Sequence, residues 1–198
     1  MGYRYDASRS ALLTPARKAA FFHAGRPPGE PALCAELSRL AYAPFERDAE
    51  ARLTVVAALQ RAGFARSSFL SAAGTQAFLA HDDNAGLSVL VFRGTELDPR
   101  DWATDLSAWP VAWPQGGLVH DGFARAFDTI RAQVAAALGE SRARLIYTGH
   151  SLGAALATLA ASRHPPQHLY TFGSPRVGDE TFVQLFPPSV VATTTLAW

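Results

Sequence analysis

Ser151 stands in the run Gly149-His150-Ser151-Leu152-Gly153, a serine between two glycines, where the apolar stretch Leu145 to Thr148 ends and an alanine-rich stretch begins. A serine hydroxyl is a weak nucleophile until a base takes its proton, so the pattern gains meaning only from its setting. Here the setting is a strand that turns sharply into a helix, which lifts the serine clear of the backbone, and a Cβ at either flanking glycine would crowd the corner. The first N–H groups of the helix, with their partial positive charge, would face an oxyanion formed on a substrate carbonyl. The bland alternative is a serine that caps a helix in a glycine-rich turn.

A second group of residues fits the same chemistry. Arg93, Gly94 and Thr95 close the apolar run 87–92, and the carboxyl ends of strands in a parallel sheet form the ligand edge. An N–H and a hydroxyl from Thr95, with the N–H of Leu152, would make an oxyanion hole. Arg93 and Arg176 could pair with acids near that edge. Trp102, Trp109 and Trp113, with Pro110 and Pro114, could line an apolar rim for acyl chains or pack as core.

The base is harder to find. His150 adjoins the serine, but neighbouring side chains on a sharp turn diverge. His164 lies thirteen residues along the helix, about 20 Å away at 1.5 Å per residue. His168 opens the next strand and His81 closes an antiparallel one, both at the wrong edge, and His23 cannot be placed. His120 remains, because it opens a helix whose far end feeds the serine's strand.

The elements that must hold these residues alternate in type. Residues 1–30 end in Gly-Arg-Pro-Pro-Gly-Glu and read as an arm before a single domain over 31–198. Helices are expected over 32–45, with Leu33, Leu37, Leu40 and Ala41 on one face, and over 46–63, closed by Gly63. Three β-type runs follow at 64–71, 75–82 and 87–94, the last two joined by a hairpin loop. An irregular stretch over 95–119 precedes a helix ending at Gly139. From 144 onward the order is strand, helix, strand, helix and a final run 189–198, which implies an α/β fold with a mostly parallel sheet flanked by helices.

Composition narrows the possibilities. A chain of 198 residues, 48% hydrophobic and with formal charge +1, can bury a sizeable core and has no basic patch for nucleic acid. Cys34, the single cysteine, makes an intramolecular disulfide impossible and a Cys/His zinc site poorly supplied, and it reads as a buried apolar residue. No metal or other cofactor is called for. No secretory signal and no membrane span is visible, which leads to the expectation of a cytoplasmic protein.

Taken in order, Val-Leu-Val-Phe-Arg-Gly-Thr-Glu (89–96), Asp-Trp-Ala-Thr-Asp-Leu (101–106), Val-His-Asp-Gly-Phe (119–123), Gly-His-Ser-Leu-Gly (149–153) and Gly-Ser-Pro-Arg-Val-Gly-Asp (173–179) resemble the class 3, fungal-type lipases of the α/β-hydrolase superfamily. The resemblance implies a carboxylic ester hydrolase for acylglycerol-like substrates, with Ser151 as nucleophile, Thr95 and Leu152 as oxyanion donors, and Glu96 to Asp101 as a short lid. It also implies packing roles for His150 and for His120. Ala154 stands where the family often has a third glycine.

The family's acid and base are expected after Asp179, which itself reads as a helix N-terminal charge. The uncharged stretch Thr181 to Trp198 holds no such acid and no histidine. A buried strand or a foreign tail would explain it, and the expectation is a truncated sheet lacking its last strands. Such a sheet would offer an unpaired edge for self-association. The expected partners are a lipid or small ester, with transient contact at a lipid surface. The alternative to an enzyme is a silent lipase-like fragment that binds lipid or a protein.

Overall fold

The computed structural model describes residues 21–22, 25–95, 109–139, 143–187 and 191–194. Helices α1 (Glu30–Leu40) and α2 (Ala49–Arg61) come first, then strands β1 (Arg66–Ala72), β2 (Thr75–Asp82) and β3 (Leu87–Phe92). After them come β4 (Pro110–Ala112), β5 (Leu118–His120), α3 (Asp121–Gly139), β6 (Arg144–His150), α4 (Leu152–Arg163), β7 (His168–Phe172), α5 (Glu180–Val183) and β8 (Val191–Thr194).

The main sheet has the order β1-β2-β3-β6-β7-β8. Its first two pairings are antiparallel and the remaining three parallel, so the mixed, mostly parallel sheet of the α/β-hydrolase fold is present. β8 occupies an edge of this sheet, in parallel register with β7. The final run therefore forms a strand over its described part. The stretch expected to be irregular over 95–119 contains a small antiparallel hairpin of β4 and β5, whose three-residue strands are too short to show a period.

Side-chain alternation divides the core between the two sheet faces. Leu79, Leu90, Phe92, Tyr147 and Leu169 pack with α3 and α4 on one face. On the other face, Phe78, Val89, Val91, Ile146 and Phe172 pack with α1 and α2. Because both faces are covered, β3 is buried along its whole length. Each Phe or Leu so enclosed contributes about 1.5–3 kcal/mol. Cys34 is buried in the second cluster, where desolvation pushes its thiol pKa up.

Phe21 and Phe22, within the expected arm, are buried in that second cluster as well. Glu30 starts α1 and holds the amino end of the parallel strands. Its carboxylate accepts from Arg144 at 2.5 Å, contacts His168 Nδ1 at 2.6 Å, and accepts from the Tyr170 hydroxyl at 2.9 Å.

Asp48 caps α2, accepting from the N–H groups of Glu50 and Ala51 at 2.9 and 3.1 Å. Asp48→Ala is expected to lower unfolding free energy by about 1 kcal/mol, measured by urea denaturation, because two first-turn donors lose their acceptor.

Candidate functional site

Ser151 joins β6 to α4 with φ 55° and ψ −124°, a conformation that L residues rarely adopt. Its N–H donates to the Phe172 carbonyl at 2.9 Å, which ties the corner to the end of β7. Its carbonyl already accepts from the N–H groups of Ala154 and Ala155, so helix α4 begins directly at the serine.

Two glycines make this corner possible by close approach. A Cβ on Gly149 would collide with the backbone of Gly153, and one on Gly153 would collide with the Phe92 carbonyl oxygen and lie 2.8 Å from the Arg93 carbonyl carbon. Helix α4 therefore starts against the end of β3. Ala154, the residue after Gly153, is fully buried. The same closeness brings Thr95 and Leu152 together along one pocket of about 310 Å³, which Gly94, Gln76 and Leu156 also line. A more apolar hollow of about 890 Å³ opens at the end of β7, between Leu169, Thr171, Val177, Phe182 and Phe186.

Five of the six histidines fall within the described residues, and His23 does not. His81 faces Ser88 at 2.9 Å, next to the start of β3, and His168 binds Glu30 at the start of β7, so both sit at the edge away from the serine. His164 follows the last turn of α4. His120 ends β5, its N–H donating to the Val177 carbonyl at 3.0 Å and its ring stacked on Phe123 with centroids 4.3 Å apart. Burial lowers the pKa of His120.

His150 shares a hydrogen bond of 2.8 Å between its Nδ1 and the Tyr42 hydroxyl, deep in the protein. Desolvation pushes its pKa down to about 4, from an ordinary 6.5. The imidazole is thus neutral at pH 7 and a poor proton acceptor. Between pH 6.5 and 4 the unfolded chain binds a proton at this site that the folded chain does not. This contribution is complete above pH 6.5 and is lost as pH falls toward 4, amounting to about 3 kcal/mol. Urea titrations at a series of pH values should show this slope, and His150→Gln should flatten it.

Asp179 caps α5, its carboxylate accepting from the Phe182 N–H at 2.8 Å. Backbone hydrogen bonds from Phe182 and Leu118 hold its pKa below the usual range. Arg93 finds an acid, Glu46, whereas Arg176 donates to the Gly178 carbonyl. Trp113 packs in the core and donates to Ser162 at 2.9 Å, while Trp109 is 82% exposed. The rim expected of the tryptophans therefore loses Trp113, because its indole has core neighbours and a partly buried hydrogen-bond acceptor. Trp102 and the expected lid, Glu96 to Asp101, lie outside the described residues.

Comparison with known proteins points to one family. The family model "Lipase (class 3)" matches residues 89–195, more than half of the chain. A secreted mono- and diacylglycerol lipase of Fusarium solani is 34% identical over 120 residues, covering 55% of this chain and 36% of that protein. A lipase of Rhizomucor miehei is 35% identical over 124 residues, covering 54% of this chain and 34% of that protein. The solved complex of Rhizomucor miehei lipase with its propeptide superposes with a TM-score of 0.52 at 31% identity, covering 60% of this chain and 45% of that one. The matched segment spans about a third of the length of these curated relatives.

The expectation of a cytoplasmic protein is corrected by these relatives, since the Fusarium lipase is secreted and points to the extracellular side. Among the described residues no helix is long and apolar enough to cross a membrane. With its corner glycines, its strained serine and its family match in agreement, the chain belongs to the class 3 lipase family.

Proposed function

We propose that this chain hydrolyses lipid carboxylic esters, acylglycerols first, through an acyl intermediate on Ser151. The observation that carries the reading is the backbone of Ser151 itself, held at φ 55° by packing on both sides of the corner. Strain of this kind persists where surrounding structure over-determines it, typically at reactive residues. The shared pocket of Thr95 and Leu152 supports an oxyanion hole made from the Thr95 N–H and hydroxyl and the Leu152 N–H.

In this mechanism Ser151 Oγ bonds to the ester carbonyl carbon as its proton passes to a base, and the carbonyl electrons move onto the oxygen facing Thr95 and Leu152. Collapse of that intermediate breaks the bond to the alcohol oxygen, which takes the proton. Water then adds to the acyl-serine, releases the carboxylic acid and restores Ser151. Among the residues of this chain, His120 is the candidate for the base. The secreted Fusarium relative supports action outside the cell.

Acid release from tributyrin and triolein emulsions, followed by titration, tests the reading. Release by the folded protein that disappears in Ser151→Ala supports it, and loss in His120→Ala with folding intact would place the base in this chain. A folded protein that releases no acid and takes no ester analogue on Ser151 would be a silent lipase-like domain, and the reading would fail.

A further inference from the structure

The turn after α1 is fastened to the end of β3 by one buried arginine. Arg93 is 5% exposed. Its Nε donates to the Ala41 carbonyl and its Nη2 to the Ala43 carbonyl, each at 2.5 Å, while its guanidinium also meets Glu46 at 3.0 and 2.7 Å. It lies over the Phe45 ring, 4.5 Å from the centroid. Burial would raise the Glu46 pKa, but the Arg93 hydrogen bonds and charge outweigh it and keep the carboxylate ionised.

Tyr42 sits between the two clamped carbonyls and is 1% exposed. Its hydroxyl is 2.8 Å from His150 Nδ1. The same hydroxyl fills the space where a Gly94 Cβ would stand, and the His150 carbonyl oxygen lies 2.5 Å from that point. Gly94 precedes Thr95, and His150 precedes Ser151. One hydroxyl therefore touches both the strand end that carries the candidate oxyanion donor and the corner that carries the candidate nucleophile.

We infer that Tyr42, clamped through its flanking carbonyls by Arg93, is a positioning residue that holds Ser151 and Thr95 at their working separation. The inference rests on Ser151 as nucleophile and adds a residue from outside the matched region 89–195. Tyr42 does not touch substrate in this role. Without its hydroxyl the ring still packs, but the His150 imidazole loses a hydrogen-bond partner and the space beside Gly94 opens. A misplacement of about 1 Å between reacting groups slows the bond-forming step by up to about a hundredfold.

The experiment is the reaction of Tyr42→Phe with an alkyl fluorophosphonate, resolving the maximal rate kinact from the half-saturating concentration KI, alongside amide NMR of Thr95 and Leu152. Expected is a fall in kinact of about ten- to a hundredfold per folded molecule, with KI within about twofold of wild type. The two amide resonances should shift together. Unchanged kinact in folded Tyr42→Phe would overturn the inference, since a merely structural hydroxyl alters the folded fraction and not the rate per folded molecule. Should the wild type itself not react, the nucleophile reading fails and the NMR decides alone. Shifts at both Thr95 and Leu152 would then support the positioning role, and any other pattern would overturn it. Should Tyr42→Phe not fold, His150→Leu removes the same hydrogen bond from the other side, with the same outcomes expected.

Discussion

Ser151→Gly is expected to abolish reaction with esters and at the same time to stabilise the fold by about 1 kcal/mol. The two effects have one cause. At φ 55° and ψ −124° a side chain bears a conformational penalty, and glycine does not. Relief of about 1–3 kcal/mol is offset in part by the greater freedom of glycine in the unfolded chain, which leaves a gain near the lower figure. Ser151→Ala is the control, because it removes the hydroxyl but keeps the Cβ in its strained position. Urea denaturation should rank glycine above serine and alanine, while fluorophosphonate labelling should be absent in both variants. A glycine variant no more stable than alanine would mean that the corner is not strained as described.

Gly153→Ala should have the largest effect on stability, a loss of about 3 kcal/mol or more. The new Cβ would collide with the Phe92 carbonyl oxygen and sit 2.8 and 2.9 Å from the Arg93 carbonyl carbon and oxygen. These are backbone atoms of the last residue of a fully buried strand and of the residue that follows it, so no side-chain rotation relieves the clash. Helix α4 must move off β3 instead, separating Leu152 from Thr95. The fraction that still folds should react with esters about a hundredfold more slowly. Gly139→Ala supplies the contrast, since open space surrounds its Cβ position and alanine is the better helix former. Thermal unfolding should show a steep drop for Gly153→Ala and none for Gly139→Ala.

What could be read from the sequence follows the range of the forces involved. The corner at Ser151 was legible because its causes are local: an apolar strand, glycines at the two crowded positions, and an alanine-rich helix start within a dozen residues. Leu33, Leu37, Leu40 and Ala41 were legible as one buried face because helical spacing reports it directly. The β4–β5 hairpin was not, since three-residue strands among tryptophans and prolines carry no period. Nor were the partners of Arg93, two of which are backbone carbonyls about fifty positions away that any residue type could supply. Tyr42 left a single trace, an aromatic polar residue at the end of an apolar helical face. Trp113 could have been rim or core, and only the fold around Ser162 and Phe127 decides for core.

The account turns on whether Ser151 is reactive, and mass spectrometry of the intact, folded protein after treatment with an alkyl fluorophosphonate tests this most directly. The expected result is one adduct per chain, mapped to the peptide containing Ser151 and missing from Ser151→Ala. A folded protein that takes no adduct, or takes it on another residue, would contradict the claim that this strained corner is the nucleophile of an ester hydrolase.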